Sequence, residues 1–265
     1  MGEPIRVLHI LQRMEAGGTQ ALLMNIYRKI DRTKVQFDFL VVYKEKQFYD
    51  DEIESMGGHV YKLSFRENLN LPKFQKDLKN FFKQHHEYQI VHCHAYTIGY
   101  FCLKAAKKAG IPVRIAHSHN NETVHDIKYL PKLFMQRLFT LNATDLFACS
   151  EEAGKYLFKD KPFRVLKNAI DSQQFIANEN TRREVRQELG LENKFVVGHV
   201  GRLHPQKNHD FLIDVFVEIK KKKSDAELIL IGTGPLEEKV RSKVADKGLT
   251  ESVQFLGNRK DMNRI

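Results

Sequence analysis

Short apolar segments alternate with longer amphipathic segments along nearly the whole chain, and this alternation constrains the fold more than any other feature. Seven apolar segments of strand length precede residue 171, at 5–11, 35–43, 59–63, 88–95, 113–120, 145–150 and 163–170. The first of them, IRVLHIL, is almost continuously apolar, as is typical of a strand buried on both faces of a parallel sheet. Helical patterns separate these segments, so the sequence predicts an α/β fold with parallel sheets.

The strand–helix repeat is interrupted once and then resumes, which predicts two domains. Residues 171–193 are polar and contain no strand pattern, whereas three more strands follow, at 194–203, 226–234 and 252–258. We expect a Rossmann-like domain over 1–172, a connector with one short helix over 173–192, and a second Rossmann-like domain over 193–265. A doubly wound domain usually has five or six strands, so three strands predict an incomplete second domain.

Composition favours a cytoplasmic protein. Hydrophobic residues make up 42% of the chain and charged residues 29%, and no apolar stretch is long enough to span a membrane. The first residues enter a strand pattern at once, without the basic and apolar regions of a secretory signal. Three cysteines, Cys93, Cys102 and Cys149, have no metal-binding spacing, which favours reduced thiols.

The chain is basic, with 43 Lys and Arg against 33 Asp and Glu. A net charge of +10 is compatible with nucleic acid, an anionic membrane surface or phosphorylated ligands. The basic residues are scattered over helices rather than interleaved with aromatic residues, which argues against nucleic acid. The segment around Lys128, Lys132 and Arg137 is a candidate contact with anionic lipid, although its apolar side is equally compatible with a core position. A peripheral location at the inner membrane face is therefore compatible with the sequence.

The connection after the strand at 194–203 carries the clearest candidate site. Open parallel sheets bind ligands beyond the carboxyl ends of their strands, and the start of the next helix favours anions. Arg202 and Lys207 place two cations on this short loop, and Gly201 permits close backbone approach. Arginine offers a planar fork to phosphate oxygens and lysine a mobile charge. A phosphate site and an ordinary pair of surface cations both fit the local sequence.

Two further connections contain paired or spaced glycines. Gly17 and Gly18 follow the first strand and could expose N–H groups to an anion, although Gly-Gly is also a common turn. Gly232 and Gly234 follow the strand at 226–231 and permit close approach of a ring or a ribose, with helix initiation as the plain alternative.

Histidines end two consecutive strands, in the segments HCHA (92–95) and HSHN (117–120). If these strands are neighbours in the sheet, His94 and His119 lie close together. Four histidines are compatible with zinc, but no Asp or Glu completes a recognisable ligand set. Hydrogen bonding to a sugar hydroxyl suits these residues better, and a structural role is expected for at least two of them.

Taken together, the ordered segments resemble the retaining GT-B glycosyltransferases of family 4. The resemblance covers nearly the whole chain and rests on AGGTQALLMNIYR, AHSHN, ACSEEAGKYL, VLKNAID, GRLHPQKNHDFLIDVF, LILIGTGPLEEKV and VQFLGN. The most specific element is G-R followed by K-N before a helix. VLKNAID departs mildly from the family pattern, since Lys167 and Ala169 replace Pro and Gly.

The resemblance implies two Rossmann-like domains facing a cleft, and retaining transfer of a hexose from a nucleotide sugar. Family habit favours UDP, and the implied acceptor is a saccharide or a polyprenyl-linked saccharide in polysaccharide biosynthesis. The sequence contains no D-x-D motif, so neither a metal ion nor a cofactor is expected.

The resemblance also implies roles for individual residues. Arg202 and Lys207 would hold the donor diphosphate, and His119 would bind the donor sugar near the reacting carbon, with His117 as the alternative; His119, Arg202 and Lys207 are the expected catalytic set. The other positions expected to contact substrates are Gly17, Gly18, His94, His117, Asn168, Gly201, Asn208, Gly232, Gly234 and Asn258.

Two alternatives stay open at this point. The family carries an E-x(7)-E element beyond the LGN-type strand, and this sequence ends before it. The chain is therefore expected to be truncated at its C-terminus, and a nucleotide-sugar-binding module without turnover is one alternative. Another GT-B enzyme, such as a sugar-nucleotide epimerase, is the second, although the acidic residues it would require are not located in the sequence.

Overall fold

The computed structural model describes residues 2–65, 67, 69–120 and 129–265. Of the predicted lipid contact, Lys128 and the side chain of Lys132 lie outside the described residues. The chain divides into two compact units, Met1–Ile170 and Asp171–Ile265.

The first unit contains a parallel sheet of seven strands in the order β3-β2-β1-β4-β5-β6-β7. Its strands are β1 Ile5–Ile10, β2 Val35–Val41, β3 Val60–Lys62, β4 Ile90–Cys93, β5 Val113–Ser118, β6 Asp145–Ala148 and β7 Arg164–Val165. Its helices are α1 Gly18–Lys29, α2 Asp50–Ser55, α3 Leu71–Gln84, α4 Tyr96–Lys108, α5 Tyr129–Phe139 and α6 Glu151–Phe158. The predicted α/β class and the seven strands are confirmed.

Helix α3 shows how local sequence sets the element boundaries. The side chain of Asn70 caps its N-terminus by accepting a hydrogen bond from the backbone N–H of Lys73 at 2.9 Å. Pro72 lies in the first turn, where its missing N–H costs nothing. Apolar residues at helical spacing, among them Phe74 and Leu78, are fully buried against the sheet.

Strand β7 is shorter than the sequence predicts. The apolar pattern predicts a strand over 163–170, but only Arg164 and Val165 pair, with Phe147 and Ala148 of β6. β7 lies at the edge of the sheet, with β6 as its single partner, and residues 166–170 are exposed. Beyond Val165 only the N–H of Leu166 still donates to β6, to the carbonyl of Ala148 at 2.8 Å, so the exposed segment leaves the sheet there.

The second unit contains a three-stranded parallel sheet in the order β10-β9-β8. Its strands are β8 Phe195–Val200, β9 Ala226–Ile231 and β10 Val253–Gly257, and its helices are α7 Glu179–Leu189, α8 His209–Lys222 and α9 Glu237–Asp246. The polar segment predicted as a connector over 173–192 is part of this unit. Arg186 in α7 donates to the carbonyls of Leu191 at 2.6 Å and Lys194 at 2.9 Å, which holds α7 to the start of β8.

Two simpler features complete the description. Cys93, Cys102 and Cys149 are all free thiols. Among the described helices, none combines the length and apolar character needed to cross a membrane.

Candidate active site

Five histidines lie together at the carboxyl ends of three neighbouring strands in the first unit. β1, β4 and β5 are adjacent in the sheet, with His9 directly opposite His92 in the register. The expected proximity of His94 and His119 is confirmed, because Nδ1 of His94 lies 2.8 Å from Nε2 of His119. Nε2 of His92 lies 3.0 Å from Nδ1 of His117.

His9 is a fifth member of this cluster that the sequence patterns do not predict. Its Nδ1 lies 3.1 Å from Nε2 of His94, so His9, His94 and His119 form a continuous row of imidazoles. In the sequence, His9 is a single histidine near the end of an otherwise apolar strand. That position is also common for a structural histidine, so only the sheet order, which places β1 beside β4, identifies it as part of the cluster.

Burial keeps these imidazoles neutral at physiological pH. It lowers the pKa of His119 to about 4 and, with the neighbouring histidines adding to the effect, that of His117 to about 2. The pKa of His94 is also well below the ordinary value, mainly because of burial. A neutral imidazole has one N–H donor and one acceptor, as binding of a sugar hydroxyl requires. His119 is partly exposed whereas His117 is 1% exposed, so His119 is the better placed of the two to touch a ligand.

The backbone of His119 is held by a contact with α4, and the glycine pair leaves the start of α1 open. The backbone N–H of His119 donates to the hydroxyl of Tyr96 at the start of α4. Gly17 precedes α1 in an extended conformation, and Gly18 is its first residue. A side chain at Gly18 would meet nothing within 4 Å, and α1 has no acidic residue in its first turn. The N–H groups at this helix start are therefore accessible to an anion.

In the second unit, the two predicted phosphate-binding cations lie on the loop between β8 and α8. Arg202 and Lys207 are exposed, and the side chain of neither forms a hydrogen bond or ion pair with a described residue. Asn208 adopts a left-handed conformation (φ 46°), and its side chain accepts from the N–H of Phe211 at 3.4 Å, so it caps α8. Lys207 passes over Gly201, where a Cβ would lie 3.3 Å from the lysine Cδ.

Gly232 and Gly234 pack against the cation-bearing loop rather than leaving open space. A Cβ on Gly232 would lie 2.3 Å from the carbonyl oxygen of Gly201, and one on Gly234 would lie 2.4 Å from that of Leu203. From the sequence, the missing side chains of these glycines were expected to permit close approach of a ring or a ribose. In the structure the neighbouring backbone takes that space, so these glycines position the loop that carries Arg202.

The remaining predicted contacts lie at two places. Asn258 is exposed directly after β10, and Gly257 beside it accepts from the N–H of Gly232 at 2.8 Å, which joins the ends of β9 and β10. Asn168 is exposed after β7 in the first unit, and no described contact connects it to the histidines.

The loop of Arg202 and Lys207 lies in a positive local field. Burial lowers the pKa of His199, and the charge of Lys207 lowers it further. Burial is also the main cause of the lowered pKa of His209, with smaller effects from His199 and Lys207. Nδ1 of each of these histidines is buried without a partner among the described residues. Neither histidine is indicated as functional by the sequence patterns.

Comparison with known proteins identifies the class of fold. The structure superposes on that of Anabaena HepE, solved in complex with UDP and glucose, with a TM-score of 0.80 at 19% identity, over 98% of this chain and 71% of that one. The fold is that of the GT-B glycosyltransferases.

Sequence comparison identifies the family. The family model described as Glycosyltransferase Family 4 matches residues 16–174, and that described as Glycosyl transferases group 1 matches residues 181–265. A protein of Bacillus subtilis (strain 168) named as glycosyltransferase EpsF is 34% identical over 270 residues, which is 98% of this chain and 70% of that protein. An Escherichia coli protein named UDP-Gal:alpha-D-GlcNAc-diphosphoundecaprenol alpha-1,3-galactosyltransferase is 25% identical over 277 residues, with 98% and 70% covered. The chain belongs to Glycosyltransferase Family 4 and is a glycosyltransferase.

Proposed function

We propose that this protein is a retaining glycosyltransferase that moves a hexose from a UDP-sugar to a lipid-linked saccharide in polysaccharide biosynthesis. The observation that carries the proposal is the loop after β8, on which Arg202 and Lys207 are exposed and unpaired among the described residues. Two cations held on a loop without acidic partners are suited to a dianionic leaving group. HepE was solved with UDP and glucose, and the E. coli relative is named for a UDP-Gal donor and a diphosphoundecaprenol acceptor, which supports the choice of donor and acceptor.

In the proposed reaction, the bond between the anomeric carbon and the UDP oxygen breaks while the acceptor hydroxyl oxygen bonds to the same face of that carbon. Negative charge grows on the departing phosphate, and it takes up the acceptor proton. Arg202 and Lys207 stabilise that growing charge more than they stabilise the bound donor, so they lower the barrier. No catalytic carboxylate pair is needed, and the two side-chain cations perform the charge neutralisation that a metal ion would otherwise supply. We therefore propose a reaction independent of metal ions.

His119 is proposed to bind a hydroxyl of the donor sugar. Because it is neutral and partly exposed, it can donate or accept a hydrogen bond without the cost of desolvating a charge. The N–H groups at Gly18 are proposed to contact a phosphate or the acceptor. Asn258 and the loop at Gly234 are proposed to contact the base.

The proposal is tested by calorimetric titration of the chain with UDP, GDP and ADP, each in the presence of a chelator. The three nucleotides share the diphosphate and differ in the base, so a difference in affinity reports on the base. We expect UDP to bind with a clear preference. Binding of GDP or ADP in preference to UDP would contradict the donor assignment. Absence of binding by all three to a folded chain would contradict the diphosphate site itself.

We also propose that the first unit meets an anionic membrane face, where a lipid-linked acceptor would be encountered. A groove of about 620 Å³ between α3 and α4 has an apolar floor that includes Phe82 and Phe101. Its rim carries five lysines, and none of the described residues that line it is acidic: Lys76, Lys79, Lys83, Lys104 and Lys108. Such a surface suits anionic headgroups, with the lysine stems over apolar surface and the charges outside. The proposed location is the cytoplasmic face of the membrane.

Replacing Lys76, Lys79 and Lys83 with glutamine should weaken binding to vesicles that contain phosphatidylglycerol by about 150-fold, since each basic residue near an anionic surface contributes about 1 kcal/mol, or about 3 kcal/mol for the three. Co-sedimentation at low and high salt measures the effect. The matched control replaces Lys221, Lys222 and Lys223 at the end of α8, which removes the same charge from the second unit. An equal loss in both variants would mean that net charge alone, and not the groove, attracts the chain.

A further inference from the structure

The histidine cluster contains buried ring nitrogens that the hydrogen bonds between imidazoles leave unused. Nε2 of His117 and Nε2 of His9 are buried and have no partner among the described residues. Leaving a polar atom unpaired in a buried place is costly, and most such atoms in folded proteins find a partner. The sugar-binding role proposed for His119 does not use either nitrogen.

Three members of the cluster are spaced as the ligands of a metal ion would be. His94, His117 and His119 each offer one ring nitrogen within 4.8 Å of the others. In tetrahedral zinc sites the Zn–N bonds of 2.0–2.1 Å place the ligand nitrogens about 3.3 Å apart. The present separation of 2.8 Å between His94 Nδ1 and His119 Nε2 needs only a small outward movement to admit the ion. Three neutral imidazoles with an open fourth position are a ligand set that zinc uses.

A second triplet, His9, His92 and His94, is also within 4.8 Å but is buried throughout. His94 belongs to both triplets, so an ion bound by one triplet prevents an ion from binding to the other. The triplet that contains His119 is the better site, because the partly exposed side chain gives the ion a route from solvent.

His9 and His92 lie beside two of the three proposed ligands and can orient them. If His94 binds the ion through Nδ1, its Nε2 can donate to Nδ1 of His9, 3.1 Å away. If His117 binds through its unpaired Nε2, its Nδ1 can donate to Nε2 of His92, 3.0 Å away. Metal-binding histidines usually donate their second ring N–H in this way, which fixes the ring and its tautomer. The ion would thus satisfy the buried Nε2 of His117 without breaking either of these contacts.

We propose that His94, His117 and His119 bind a Zn²⁺ ion, oriented by His9 and His92. The lowered pKa values support the site, since burial keeps the imidazoles in the neutral form that binds metal. The ion is not part of the proposed reaction. Its binding withdraws His119 from the donor sugar, so where the proposed function holds, zinc inhibits transfer. The binding itself does not depend on that function.

The test is titration of the metal-stripped full chain with Zn²⁺, followed by calorimetry and by competition with a chromophoric chelator. We expect one ion per chain and a loss of affinity of at least about 100-fold in His119→Gln, because loss of a ligand exceeds the 10- to 100-fold cost of losing an outer-shell partner. His94→Gln should behave alike. His86→Gln, an exposed histidine outside the cluster, is the control and should bind zinc as the wild type does.

Circular dichroism and thermal melting check that each variant is folded, and the partly exposed position of His119 makes its variant informative even if His94→Gln does not fold. No stoichiometric zinc binding by the wild-type chain, or equal affinity in a folded His119→Gln, would overturn the inference. UDP titration of the same samples separates the two proposals. Zinc binding without UDP binding supports the metal site and contradicts the donor site.

Discussion

Replacement of Arg202 and Lys207 by alanine together should weaken UDP binding by at least about 100-fold. Hydrogen bonds to charged groups contribute about 1.5–3 kcal/mol each, so two such contacts to the diphosphate account for at least that change. The fold should be unaffected, because both side chains are exposed and have no described hydrogen bond or ion pair to lose. The rate of transfer should fall further than the affinity, because charge on the phosphate increases toward the transition state.

Calorimetric titration with UDP measures this effect, with Lys221→Ala/Lys222→Ala as a control that removes two cations from the end of α8. The control should retain wild-type affinity. If the Arg202/Lys207 variant and the control bind UDP equally well, the loop after β8 is not the diphosphate site. Single variants are also informative, since arginine can form two parallel hydrogen bonds to phosphate and its loss should cost more than that of lysine.

Most of the fold is predictable from the sequence because its strands are buried and its helices are amphipathic. Helix α3 is an example, since its apolar spacing and Pro72 in its first turn are both local features of the sequence. The end of β7 was not predictable, because a strand depends on partners and not only on its own apolar residues. Likewise, the contacts of Arg186 that hold α7 to the loop before β8 are not revealed by the apolar pattern.

In the candidate site, too, the features that depend on neighbouring strands are not predictable from local sequence. The sequence correctly indicates that His94 and His119 meet, because it indicates two consecutive parallel strands that both end in histidine. It does not indicate that His9 joins them, since the position of β1 beside β4 is a property of the whole sheet. For Gly232 and Gly234 the sequence shows only that space is needed. The structure shows that the backbone of Gly201 and Leu203 fills it.

Asp38 in β2 is a buried carboxylate on which several elements of the first unit depend. Its side chain is fully buried and accepts from Nε of Arg6 at 2.6 Å, from the hydroxyl of Tyr88 at 2.8 Å and from the backbone N–H of His59 at 2.7 Å. Burial alone would raise the pKa of Asp38, but the hydrogen bonds from these three residues outweigh burial and lower it. The carboxylate is thus ionised and joins β1, β2 and the residues before β3 and β4.

Asp38→Ala should lower the free energy of unfolding of the first unit by about 3–5 kcal/mol, because it leaves the Arg6 charge and the Tyr88 hydroxyl without their partner. Urea denaturation at pH 7 measures the change, with the exposed Asp160→Ala expected to remain within about 0.5 kcal/mol of the wild type. Because the folded pKa lies below the ordinary 3.8, the stabilisation is complete above that value and is lost only as the pH falls through the folded pKa. The loss in Asp38→Ala should therefore remain about 3–5 kcal/mol at pH 6, 7 and 8. A loss no larger than that of Asp160→Ala at these pH values would show that the carboxylate does not hold these elements together.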